Sequence, residues 1–176
     1  MKPSRIYEYL TKSRGRMFEM LHRLTPEQYG RVHPIGLGTI GTTLAHMMNS
    51  EWYYIERLEG RETPPYSAWP IQDETPPGLD VIETEWGRRA ETTRTALAAP
   101  RDWTGVVSYV TVPDEKGVRK RVTATAGDIA SQLVLHEVHH RAQVMAMVRL
   151  LNVPGVRIED LDFNSMMYTI EEEHAG

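Results

Sequence analysis

The chain has 176 residues, with 20 basic against 24 acidic side chains for a net charge of −4, seven His, no Cys and 40% hydrophobic residues. A chain of this length buries about 70% of its unfolded surface, so one core and a single domain over residues 1–176 are expected. The apolar content excludes a disordered chain. The missing Cys excludes disulfides, Cys-ligated metal and a thiol nucleophile of the protein's own, and the acidic balance argues for no nucleic-acid partner. The start, MKPSRIYEYLTKSRGR, lacks the apolar segment of a signal peptide, and no apolar run is long enough for a membrane span. A cytoplasmic location is therefore expected, with no membrane partner.

Taken in chain order, Ile6, Leu10, Met17, Met20, Leu21 and Leu24 predict an amphipathic helix over 3–24. Thr25-Pro26-Glu27 reads as a stop or a short new start, and the Gly-rich segment 30–38 as a loop. Thr39 is the expected N-cap of a second helix carrying Ile40, Leu44, Met47, Tyr54 and Leu58 on one stripe. Five Pro between Arg61 and Gly78 predict a long connection without regular structure. A third helix follows over 79–98, with Val81, Ile82, Trp86, Ala90, Thr93 and Leu97 on its inner side.

Residues 103–112 are rich in β-branched and aromatic side chains, and Pro113 to Gly117 has turn chemistry, so a β-hairpin is predicted. Its basic run, Lys116, Arg119, Lys120 and Arg121, reads as a solvated strand edge. Thr125 and Asp128 open a capping box for a long fourth helix that ends before Pro154-Gly155. Its inner seam is predicted as Ile129, Leu133, His136, His140, Gln143, Met147 and Leu150, and a short last helix over about 159–173. The expected fold is therefore all-α: an up-and-down four-helix bundle with a small hairpin before the fourth helix and a short C-terminal helix.

The seam contains chemistry. His136, His140 and Gln143 fall within an arc of about 60°, and imidazoles at i and i+4 are close enough to share a metal ion. A third ligand is wanted from a facing helix. His139 is turned about 60° away, and His22, His33 and His174 are expected to be solvated. His46 stands mid-helix among Thr39, Thr42, Thr43, Ser50, Tyr53 and Arg57. That face fits either plain solvent or the wall of a polar pocket, and periodicity does not choose between them.

His136-Glu137-Val138-His139-His140 also matches the H-E-x-x-H pattern of zinc proteases, with Glu159 at a spacing where some keep a third ligand. Three features oppose that reading. Gln143 and Ala146 stand where the extended motif needs Gly and His, Pro154-Gly155 interrupts the chain, and there is little room for a second lobe. Glu137, about 100° from the ligand face, is not expected to act as a base.

Thr39-Ile40-Gly41 with Leu44-Ala45-His46 resembles the S-I-G-x-x-L-x-H start of the second helix in DinB/YfiT-like proteins. His136-Glu137-Val138-His139-His140-Arg141-Ala142-Gln143-Val144 resembles their H-x-x-H-H-R-G-Q-[IV] segment, with Ala142 replacing the usual Gly. Leu24 to Gln28 and Asp160 to Phe163 are similar to the family's first turn and C-terminal segment, so the resemblance spans the chain. It implies a four-helix bundle with a divalent metal (Zn, Ni or Fe) on His46, His136 and His140, and a homodimer. It also implies a small-molecule substrate, a transferase or isomerase reaction, and a low-molecular-weight thiol as cosubstrate. The family name records DNA-damage induction of one member and implies no DNA binding. Three His leave a coordination position open for chemistry. Gln143 and Tyr53 are the candidates to support or line that site. The competing reading is a non-catalytic bundle whose many Met offer an adaptable apolar lining for a ligand or partner.

Overall fold

A computed structural model describes residues 2–113, 116–156 and 161–169. Helix α1 runs Pro3–Leu21, the short α2 Pro26–Tyr29, α3 Ile40–Leu58 and α4 Leu79–Ala98. Strands β1 (Val106–Val110) and β2 (Arg121–Thr125) precede α5 (Ala126–Leu151) and the short α6 (Phe163–Met167). The protein is thus mostly helical with one small antiparallel sheet, paired in the register Val106 with Thr125 through Val110 with Arg121. Among the described residues, no helix is long and apolar enough to cross a membrane.

Local chemistry sets the boundaries. Thr25 and Gln28 cap α2 reciprocally, so the predicted stop is also a new start, and α1 ends at Leu21 rather than Leu24. Thr39 accepts from the Thr42 amide at the head of α3, and Thr125 forms the expected capping box with Asp128 on α5. Asn152, in the left-handed region at φ 48°, ends α5. The Pro-rich connection holds only one 3-10 turn, Tyr66–Ala68, yet it is anchored: Asn49 donates to the Ile71 carbonyl at 2.8 Å and Ile71 is buried. The predicted last helix is found only as Phe163–Met167, and the rest of it, with Glu159 and His174, lies outside the described residues.

Among the four long helices, α1 packs against α4 and α5, and α3 packs against the same two. Their shared interior is in two parts. One apolar cluster gathers Met17, Phe18, Leu21, Leu44, Met48, Ile82, Trp86, Val144 and Met147. The other gathers Tyr7, Leu10, Ile55, Leu58, Ala90, Leu97, Ile129 and Leu133.

Between these clusters lies a layer of charge. Arg14, Glu51 and Glu137 are each at most 5% exposed. Arg14 donates at 2.6 Å to both carboxylates, and Arg141 stands 3.7 Å from Glu137. Glu51 also accepts from Tyr7 at 2.6 Å, Thr93 at 2.7 Å and Trp86 Nε1 at 2.9 Å. Four donors thus fill the carboxylate's lone pairs, and two carboxylates balance two guanidinium groups. Burial works against the charge on Arg14, but Glu137 and Glu51 outweigh it and raise its pKa.

Several expected inner positions face outward instead. Leu150 is 61% and Val81 54% exposed. The buried face of α5 runs Ile129, Leu133, Glu137, Val144 and Val148, to one side of the predicted seam. A seven-residue repeat drifts by about 20° per heptad on a straight helix, so three heptads carry Leu150 off the core. His33, expected to be solvated, is buried, because its loop folds back with the His33 amide donating to the Gly38 carbonyl at 2.7 Å.

Candidate metal centre

The drift of α5 leaves His136 and His140 half-buried at the edge of the α3–α5 contact rather than in the apolar interior. Facing them from α3 is His46, about two turns after the Thr39 cap has started that helix. The Nε2 atoms of His46 and His136 are 3.1 Å apart. The ring centres of His140 lie 4.9 Å from His46 and 4.4 Å from His136. One nitrogen from each of the three falls within 4.8 Å of the others, so this is a group that can hold a metal ion. His46, left open between solvent and pocket wall by periodicity, stands on the pocket side.

The hydrogen bonds around the rings orient them. His140 donates from Nδ1 to Gln143 Oε1 at 2.8 Å, which leaves Nε2 with a free lone pair. Gln143 in turn donates from Nε2 to His139 at 2.9 Å, so His139 supports the cluster indirectly instead of joining it. The amide of Gln143 lies close against Gly36, whose φ is +52°. A Cβ there would stand 2.3 Å from Gln143 Oε1, so only Gly lets the loop come this close. On the other side, His46 Nδ1 faces Asp73 Oδ2 at 3.5 Å, and Tyr66 donates to the same Asp. Carboxylate–imidazole pairs of this kind hold a metal-ligating ring in its tautomer.

The donor set fits a divalent ion. Two nitrogens each about 2.0–2.1 Å from a tetrahedral zinc stand roughly 3.3 Å from each other, close to the His46–His136 separation. Electrostatics agree. Burial first, then the neighbouring His140, His46 and His139, holds the His136 pKa down to about 3, and burial also lowers that of His140. Both rings are therefore neutral at pH 7, the form that donates to metal.

The other expected site residues fall as follows. Tyr53 packs against Trp69, tilted at 5.8 Å, and edge-on against Tyr109 at 6.4 Å, and it is Tyr54 that meets His136 edge-on at 5.7 Å. Glu137 points into the charged layer against Arg14, so the general-base position of the H-E-x-x-H reading is not formed. His22 is exposed and bonded to Glu83 at 2.6 Å, with Asp80 nearby. Sequence reasoning missed Asp73 and Gly36, which belong to loops without periodicity. A lone Asp among five Pro and a Gly flanked by Ile and Leu carried no signal of their partners.

A helical protein whose α3 and α5 bring three imidazoles together belongs to the class with a candidate all-nitrogen metal centre. The profile of the DinB family matches residues 1–173, and the chain belongs to that family. No curated protein matches the chain.

Proposed function

We propose that this protein is a metal-dependent enzyme that transfers a low-molecular-weight thiol to a small electrophilic molecule, or isomerises such an adduct. The four long helices form an up-and-down bundle in this reading, and His46, His136 and His140 hold a Zn, Ni or Fe ion. The observation that carries it is the convergence of three half-buried imidazoles within 4.8 Å, two of them set in orientation by Gln143 and Asp73. The ring of contacts among α1, α3, α4 and α5 supports the bundle. A divalent ion with three protein ligands keeps a position open, and there it supplies Lewis-acid chemistry that lowers the pKa of a thiol or water.

The chain's own part is to bind, orient and exclude. Gln143 fixes the His140 ring by a hydrogen bond, and the Asp73 carboxylate faces the outer nitrogen of His46, which favours the orientation a metal needs. Tyr54, packed on His136, shields that ring from water. The sulfur must come from outside, because the chain has no Cys. A new S–C bond forms as the leaving group departs, and the thiol proton passes to solvent.

The test is to incubate the metal-loaded chain with bacillithiol, mycothiol or free cysteine and an aryl halide, following loss of free thiol. Turnover with at least one thiol is expected, abolished by a chelator and by His136→Ala. Thiol consumption equal in the wild type, the variant and a protein-free control contradicts the proposal.

A further inference from the structure

At the far end of α3 from His46 lies a second concavity, of about 730 Å³, between the α3 C-terminus, the start of the Pro-rich connection and the hairpin. Arg57, Arg61, Arg119 and Arg121 line it, with Tyr109 and Thr63. Arg61 is already neutralised by Glu56, through two bonds of 2.8 Å. The other three have no carboxylate within ion-pair distance among the described residues. Among the described residues, Glu62 is the only acidic side chain in the lining. On a protein of net charge −4, this is a concentrated positive field.

Arg57 is the decisive residue. It is only 4% exposed, and buried charges are ordinarily paired. Its guanidinium carbon lies 4.4 Å from the ring centre of Tyr53 and 4.7 Å from that of Tyr109, two rings set nearly perpendicular with centres 6.4 Å apart, so they wall it on two adjacent sides. Those ring contacts favour the cation but supply no oxygen acceptor for its five N–H donors. Thr63 accepts from one, and Nε has no partner among the described residues. A neutral hydroxyl does not balance a buried positive charge. The arrangement is that of a buried cation backed by two aromatic rings, with N–H donors left for a planar or tetrahedral oxyanion.

We propose that this pocket binds a small anionic ligand through a carboxylate or phosphoryl group held by Arg57, Arg119 and Arg121. Arg57 is eleven residues beyond His46 on α3, about 16 Å along the axis. The site is therefore separate from the three-His group and does not depend on a metal there.

Isothermal titration of the full metal-loaded chain with inorganic phosphate, and separately with malonate, tests this at ionic strength matched with sodium chloride. At least one anion binds saturably at one per chain, and which one does tells a phosphoryl from a carboxylate ligand. Because replacing buried Arg57 risks the fold, the informative variant is Arg119→Gln with Arg121→Gln, both exposed. It weakens binding by about tenfold or more, as expected for charge-assisted bonds. The metal-free His136→Ala protein binds the anion as the wild type does. Saturable binding of neither anion, unchanged affinity in the double variant, or loss of binding in His136→Ala overturns the proposal.

Discussion

Two polar clusters sit side by side on α5, one residue apart in sequence, and they are built to opposite ends. Glu137 turns inward to Arg14 and Arg141, and with Glu51 forms a layer in which each charge meets an opposite one and Glu51 accepts four donors. His136 turns to the half-buried edge, where its Nε2 meets another imidazole nitrogen at 3.1 Å. A saturated network resists change and holds helices in register. A cluster that brings one nitrogen from each of three imidazoles within 4.8 Å, with His140 fixed by Gln143 and His46 facing Asp73, is incomplete without a further ligand. Burial and polarity alone do not separate structure from chemistry; the direction of the unsatisfied atoms does.

The comparison breaks most visibly at Arg14. Arg14→Ala leaves two buried carboxylates without their shared cation, at a cost of about 3–5 kcal/mol. For a domain of this size that lowers Tm by roughly 6–20 °C, read by calorimetry, with His136→Ala falling well short of it in the metal-free protein. Gln143→Ala probes the other cluster. It frees His140 to rotate and weakens metal binding by about 10–100-fold, measured by chelator competition, with little change in folding.

Gly36→Ala sharpens the same point at a distance. The added methyl and the positive φ cost about 1 kcal/mol and push Gln143 off His140, so metal affinity falls part of the way toward that of Gln143→Ala. The smallest effect is in acid. The folded-state pKa of His136 is depressed to about 3, so below its ordinary value near 6.5 the unfolded chain takes up a proton that the folded chain refuses. This contribution is fully present above about pH 6.5 and is lost as the pH falls toward 3. Urea unfolding of metal-free protein at pH 5 and 7.5 shows a larger drop in the wild type than in His136→Ala.

Much of this was legible beforehand, for identifiable reasons. Caps and Pro mark helix ends locally, so Thr39, Thr125 and the 61–78 connection were readable one residue at a time. The His136–His140 pair follows from helical spacing alone. His46 did not, because periodicity cannot tell which neighbour a bundle helix faces, and only the family resemblance pointed to it. The charged layer left a trace that the reading of apolar stripes passed over. Arg14 lies between Leu10 and Met17, Glu51 between Met48 and Ile55, and Glu137 between Leu133 and Val144. Three helices carrying charges on their apolar faces, α5 with Arg141 beside Glu137, imply that those charges meet. Asp73, Gly36 and the Tyr53 and Tyr109 rings around Arg57 depend on how loops and the hairpin return to the helices, which local pattern does not encode.

The central claim is that His46, His136 and His140 act as one metal centre, and elemental analysis of the purified full chain tests it most directly. One divalent ion per chain is the predicted result, falling to background in His46→Ala and His136→Ala with helicity unchanged. Absence of metal after reconstitution with Zn, Ni or Fe, or equal metal content in the wild type and both variants, would contradict it.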